Sequence, residues 1–207
     1  VIDLAIFLGK LGAKISGAGT HTIEINGVSS LKGTDGYRIH NDEVEAGTFL
    51  IAVAATKGEA TLTDINPQYL DAVIEKLKLM GVKIKVGDNK ISVSRRGDLR
   101  PAKIQTNTYP GLPTDLQAPL TVLATQAHGQ SLIHDWLYER RFGYLEDLLR
   151  MGAKIDILDT HRILVHGPNQ LQGAKIDSLD IRAGIALVIA ALAAQGKSEI
   201  NQTEIIS

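Results

Sequence analysis

Three stretches of the chain repeat one another, and that repeat leaves few folds open. They are LGKLGAKISGAGTHTIEING from Leu8, LKLMGVKIKVGDNKISVS from Leu77 and LLRMGAKIDILDTHRILVHG from Leu148. Each closes an amphipathic helix on a glycine, and these glycines (Gly12, Gly81, Gly152) stand 69 and 71 residues apart. Glycine just past a helix supplies left-handed backbone and stops it. A short strand follows at Lys14-Ile15, Lys83-Ile84 or Lys154-Ile155. The chain then turns through small polar residues into a partner strand at Thr22 to Ile25, Lys90 to Val93 or Arg162 to Val165, which predicts three β-hairpins. Gly17-Ala18-Gly19 belongs to the first of these turns; it lacks the spacing of a phosphate loop.

A second helix type interleaves with the first. Glu43 to Thr56, Asp115 to Ala127 and Asp180 to Ala194 are helical in length and apolar nearly all round, so each is expected to be buried on every side. Each leaves through a glycine (Gly58, Gly129, Gly196) into a strand: Glu59 to Asp64, Gln130 to Asp135 and Ser198 to Thr203. Each is preceded by an expected strand: Tyr37 to His40, Ala102 to Thr106 and Ala174 to Ser178.

The repeating unit is therefore β-α-β-α-β-β, which calls for α/β layers with right-handed crossovers. Three buried helices packed together, with small sheets around them, make an inside-out α/β barrel. The chain cuts the repeat unevenly. Residues 1–27 hold only the closing α-β-β of a unit, two whole units follow, and 174–207 hold an opening β-α-β. The two partial pieces sum to one unit, so the N-terminal α-β-β is expected to complete the third; otherwise the apolar face of residues 4–11 stays wet or meets another chain. The chain begins on Val1, inside a helical pattern, which suggests a fragment.

Composition excludes several function classes. A net charge of −1 gives no basic footprint for nucleic acid. There is no cysteine, hence no disulfide and no thiolate chemistry, which suits the cytoplasm. The longest apolar run, Ala183 to Ala194, falls short of the roughly 20 residues that span a membrane. The histidines at 21, 40, 128, 134, 161 and 166 have no ligand spacing, so neither a metal site nor a cofactor is expected.

One stretch raises a chemical question. Pro110 and Pro113 stiffen the approach to an apolar helix, and Asp115 stands at its mouth. Its carboxylate could cap free N–H groups, or it could be a rigidly placed acid-base group. A helix start would hold it ionised, which suits a base. Glu43 and Asp180 begin the other two apolar helices, so capping alone could put acids at all three places. Arg182, two residues after Asp180, does not lie beside it on a helix, so the two are read as separate contacts. The stretch WLYERRF, Trp136 to Phe142, follows a strand and reads as a loop at the crevice end.

The segment LPTDLQA (Leu112 to Ala118) resembles the signature of the enolpyruvyl transferases of cell-wall synthesis. GAKISGAGTHTIEINGV (Gly12 to Val28), EAGTFLIAVA (Glu45 to Ala54), RFGYLEDLLRMGA (Arg141 to Ala153) and DIRAGIALV (Asp180 to Val188) fall in that family's order. The resemblance covers the whole chain. It implies transfer of enolpyruvyl from phosphoenolpyruvate to the 3-hydroxyl of UDP-N-acetylglucosamine, with those two small molecules as partners. Such a reaction needs a proton taken from a hydroxyl, a proton given to an enol carbon, and cations around phosphate and carboxylate. By resemblance, Asp115, Asp180 and Arg141 are the catalytic positions. Asp115, Leu137, Tyr138, Arg182 and, less securely matched, Asp42 are the substrate-binding ones, with Leu137 and Tyr138 beside the uridine. In the repeat register it is Glu43, not Asp42, that equates with Asp115.

The resemblance also marks departures. Arg140 stands where the family pattern Glu-Asn-Arg-Phe has asparagine. The family's N-terminal Lys-Asn pair, its loop cysteine and a C-terminal arginine have no counterpart here. Residues 1–36 match the end of a first lobe and 37–207 most of a second, so little turnover is expected from this chain alone. Two alternatives stay open: a shikimate-pathway enolpyruvyl transferase, which LPTDLQA argues against, and a catalytically silent binding or assembly module of the same fold.

Overall fold

Backbone in the left-handed region marks the repeat at once: Gly12, Gly81 and Gly152 have φ of +96°, +97° and +95°. The helix stops expected there are real, because only a residue without Cβ adopts that conformation cheaply. The computed structural model describes residues 1–177 and 180–203. Its elements form two compact units, Val1–Asn41 and Asp42–Ser207.

Within the first unit, helix α1 (Ile2–Lys10) leads into a hairpin of β1 (Lys14–Ser16) and β2 (Glu24–Asn26), with Ile15 opposite Ile25. No residue of α1 is buried. Residues 37–40, expected as a strand, form none. A strand lasts only where its backbone enters a ladder. Tyr37 is instead drawn to α1: its ring lies 5.1 Å from that of Phe7, and its hydroxyl donates to the Asp3 carboxylate at 2.5 Å.

The second unit carries the remaining elements. Helix α2 (Glu43–Ala55), β3 (Glu59–Thr63), α3 (Asp71–Leu79), β4 (Lys83–Gly87) and β5 (Lys90–Ser94) come first. Next are β6 (Lys103–Gln105), α4 (Gln117–Ala124), β7 (Gly129–His134), α5 (Leu145–Arg150), β8 (Lys154–Ile157) and β9 (Arg162–Gly167). Strand β10 (Lys175–Asp177), α6 (Ile181–Ala193) and β11 (Glu199–Asn201) close the chain. The expected end of β10 at Ser178 lies outside the described residues. The middle repeat is complete: its sheet runs β6-β7-β9-β8, with β6 and β7 parallel and the other pairs antiparallel. The preceding repeat gives β3-β5-β4, all antiparallel, and the last gives the parallel pair β10-β11.

Helices α2, α4 and α6 pack on one another, and these small sheets surround them, as the inside-out barrel requires. Only α4 meets the expectation of burial on every side: all its residues, Gln117 to Ala124, are buried. Helices α2 and α6 bury one face through Leu50, Ile51, Ala54, Ala186, Leu187 and Ala190. They leave Phe49, Ile181 and Leu192 exposed along an apolar groove of about 730 Å³ between them. Sequence apolarity over-predicted burial there, since it cannot say which side of a helix receives a neighbour.

Close approach is built in at Gly47. A methyl group there would stand 2.5 Å from Cδ1 of Leu116, which is fully buried just before α4. Gly47→Ala should therefore destabilise the protein by about 1–3 kcal/mol through overpacking, read as a lower urea midpoint at unchanged slope.

Candidate active-site cleft

Pro119 decides how the chain enters α4. In an α-helix begun at Thr114, residue 119 would donate its N–H to the carbonyl of Asp115. Proline has no N–H, and its ring crowds that carbonyl. The segment Thr114–Leu116 therefore forms a 3₁₀ turn, with Leu116 N bonded to Pro113 O at 3.1 Å, and α4 starts only at Gln117. No side chain caps either piece.

Asp115 is thus not a cap. Its Oδ1 lies 3.4 Å from Arg141 Nη1 and 3.6 Å from Arg182 Nη1. The equivalent acids of the other two helices do cap. Asp42 Oδ1 accepts from Val44 N at 2.7 Å and Glu45 N at 3.3 Å. Asp180 Oδ1 accepts from Arg182 N at 2.8 Å and Ala183 N at 3.1 Å. The N-cap of α2 is Asp42, one residue ahead of Glu43, as Asp180 is the N-cap of α6.

Asp180 and Arg182 are also paired, contrary to the helix-geometry expectation, with Nε 3.5 Å from Oδ1. The reason is local. Asp180 is outside the helix, in extended backbone at φ −155° and ψ 166°, so its carboxylate folds back over the first turn. Burial pushes its pKa up, but the N–H groups of Ala183 and Arg182 and the Arg182 charge outweigh this and leave it below the ordinary value.

These groups enclose a cleft of about 220 Å³, lined in part by Thr114, Asp115, Arg140, Arg141, Asp180 and Arg182. Its floor is polar. Tyr144, buried, accepts from Gln117 Nε2 and donates to Thr121 Oγ1, both at 2.9 Å, and its burial pushes the phenol pKa up. The acidic starts of α2, α4 and α6 lie at this end, while Ala55, Gln126 and Ala193 at their far ends line a separate cavity of about 490 Å³. The three helices thus point their positive dipole ends the same way. With three arginines added, the cleft favours an anion.

The loop Trp136 to Phe142 follows β7 and delivers Arg141 to this cleft. Arg141 also donates to Thr114 Oγ1 at 2.8 Å, and its Cζ sits 3.9 Å from the ring centre of Tyr138. Asp115, Asp180, Arg141 and Arg182 are brought together. Asp42 lies on the adjoining apolar groove, whose lining also includes Asp115 and Arg182. Tyr138 reaches the cleft only by supporting Arg141, and Leu137 lines neither space. Sequence reasoning passed over Asp135. It is a fully buried carboxylate at the end of β7, bonded to Thr114 at 2.7 Å. The one signal was an acid closing a short strand pattern, Ser131 to Asp135.

Comparison with known proteins bears on the chemistry. The family profile described as EPSP synthase (3-phosphoshikimate 1-carboxyvinyltransferase) matches residues 1–207. The chain belongs to this enolpyruvyl transferase family. It is 44% identical over 204 residues to UDP-N-acetylglucosamine 1-carboxyvinyltransferase 2 of Geobacillus kaustophilus, covering 99% of this chain and 47% of that protein. A UDP-N-acetylglucosamine 1-carboxyvinyltransferase of Halothermothrix orenii is likewise 44% identical, over 97% of this chain and 48% of that one. This enolpyruvyl transferase chain thus spans about half the length of the relatives it matches. Among solved structures, the enolpyruvyl transferase NikO from Streptomyces tendae superposes with a TM-score of 0.88 at 27% identity, over 100% of this chain and 49% of that one. EPSP synthase from Acinetobacter baumannii gives 0.71 at 23% identity, over 96% and 49%, and shows the shared fold alone. Among the described residues, no helix is long and apolar enough to cross a membrane.

The family pattern and the structure meet at residue 140. Arg140 has φ +56°, left-handed backbone in which asparagine is far more at home. Arg140→Asn should stabilise the protein by roughly 1 kcal/mol, seen as a raised Tm. The lowered pKa of Asp180 predicts a pH signature. Asp180→Asn keeps the cap but has nothing to titrate. The stability advantage of the wild type over Asp180→Asn should hold above the ordinary Asp pKa of about 4, and vanish as pH falls through the lower folded value. Urea unfolding of both proteins between neutral and acid pH checks this.

Proposed function

We propose that these residues form most of one lobe, and the end of the other, of an enzyme that transfers enolpyruvyl from phosphoenolpyruvate to the 3-hydroxyl of UDP-N-acetylglucosamine, in the cytoplasm, for peptidoglycan synthesis. Residues 1–36 are read as the end of the first lobe and 37–207 as most of the second. The observation that carries the reading is the Asp115 carboxylate, relieved of any capping duty and held between Arg141 and Arg182 at the mouth of a cleft.

The chemistry follows from that placement. Asp115 takes the proton from the attacking hydroxyl as its oxygen bonds to C2 of the enolpyruvyl group; the C2=C3 electron pair takes up a proton at C3, and a C3 proton is lost again as the bond from C2 to the phosphate oxygen breaks and the double bond re-forms. Arg141 and Arg182 draw the phosphate and carboxylate of phosphoenolpyruvate and stabilise charge as phosphate departs. Asp180 pairs with Arg182 beside the reacting groups. Leu137, Tyr138 and Asp42 belong to the UDP-sugar side. The relatives named for this activity are about twice as long, so binding without turnover is the expected behaviour of this chain alone.

Calorimetric titration with UDP-N-acetylglucosamine tests the reading. The wild type should bind, and Asp115→Ala should weaken binding by at least about tenfold, the usual scale for losing a hydrogen bond to a charged group. Absence of wild-type binding, or binding untouched by the substitution, would count against it.

A further inference from the structure

The most unusual polar group in the molecule is not one of the exposed acids of the cleft but the carboxylate of Asp135, which is fully buried. Among the described contacts, it has no cation against it. Burying such a group is costly unless hydrogen-bond donors satisfy it. Four donors do so here. Oδ1 accepts from Thr106 Oγ1 at 3.0 Å and from the backbone N–H groups of Leu137 and Tyr138, each at 3.2 Å. Oδ2 accepts from Thr114 Oγ1 at 2.7 Å.

We propose that Asp135 is the positioning residue of the cleft, fixing Arg141 through the hydroxyl of Thr114 and the backbone of Tyr138. An ionised carboxylate can only accept hydrogen bonds. Thr114 must therefore give its one proton to Asp135, which leaves its lone pairs for Arg141 Nη1 at 2.8 Å. The second arm runs through the loop. By holding the Tyr138 N–H, Asp135 sets the ring on which the Arg141 guanidinium rests at 3.9 Å. Both supports of the arginine thus trace to one hidden carboxylate. Arg141 is left with its charge directed at Asp115 and at any anion in the cleft. The ligand side of this inference rests on the enolpyruvyl transfer reading; the geometric side does not.

Asp135→Asn is the sharp test because it changes donor polarity and almost no volume. Three donors face the Oδ1 position, so the amide nitrogen must take the Oδ2 position and donate to Thr114. Thr114 then spends a lone pair on the amide and its proton is released from residue 135, so its hydroxyl is no longer oriented for Arg141 and holds Nη1 less firmly. Two readouts follow. In the ¹⁵N spectrum, the Arg141 side-chain N–H signals should move to the position of solvent-exposed arginines in both Asp135→Asn and Thr114→Val. The Leu137 and Tyr138 amides should lose exchange protection only in Asp135→Asn. Titrated with phosphoenolpyruvate and UDP-N-acetylglucosamine, each variant should bind at least about tenfold more weakly than wild type. The double variant should be no weaker than the weaker single one.

An Arg141 signal unmoved in Asp135→Asn overturns the proposal, even if that variant is less stable. So do affinity losses that multiply in the double variant. Wild-type protein that binds neither ligand sinks the functional reading, while the Arg141 signals still decide this inference. Should Asp135→Asn fail to fold, an unmoved Arg141 signal in Thr114→Val overturns it.

Discussion

A single missing hydrogen-bond donor shapes the cleft. Because Pro119 cannot donate to the carbonyl of Asp115, the chain cannot be α-helical from Thr114 onward, and it enters α4 through a 3₁₀ turn. Were the helix to begin three residues earlier, a carboxylate at its start would be drawn to its own free N–H groups, as at Asp42 and Asp180. The turn instead leaves the Asp115 side chain uncommitted, and two guanidinium groups flank it. One proline thus frees a carboxylate from capping at one of three similar helix starts.

The three helices supply the setting. Small residues (Gly47, Ala54, Ala183, Gly184, Ala186, Ala190) let α2, α4 and α6 approach closely, and their common direction gathers three positive dipole ends at the cleft. Acidic residues at those ends temper the field without cancelling it, since Arg140, Arg141 and Arg182 stand in the same lining. The result is a cleft with carboxylates and cations a few ångströms apart, the arrangement that proton transfer beside an anionic substrate requires. The opposite ends of the same helices carry the orphan carbonyls. The last turn of α2 meets Arg95, buried, whose Nη1 donates to Ala54 O at 3.1 Å.

The middle repeat is complete in its sheet and its central helix is wholly buried, whereas the flanking helices share an open apolar groove. That contrast follows from the arithmetic of the repeat. Two helices that each await a neighbour on the same side leave Phe49, Ile185, Val188 and Leu192 facing one space. All three helices are largely apolar, and the wholly buried α4 is the least apolar of them, so burial is decided by how many neighbours each one receives.

Much of the fold was legible in the sequence because its cues are local. Glycine after an amphipathic run, alternation in short strands and apolar helices led by acids need only a few consecutive residues to be recognised, and they placed the hairpins, the helices and the barrel. The motif LPTDLQA likewise pointed to Asp115 without any coordinates. Tertiary structure alone decided the partners: Arg141 and Arg182 on Asp115, the fold-back of Asp180 onto Arg182, Tyr37 claimed by α1 rather than by a strand, and the buried carboxylate of Asp135 beneath Thr114. Most of these contacts join residues 20 to 70 positions apart, and their energies depend on distance, burial and donor direction. A linear pattern carries none of those three quantities until the chain has closed on itself.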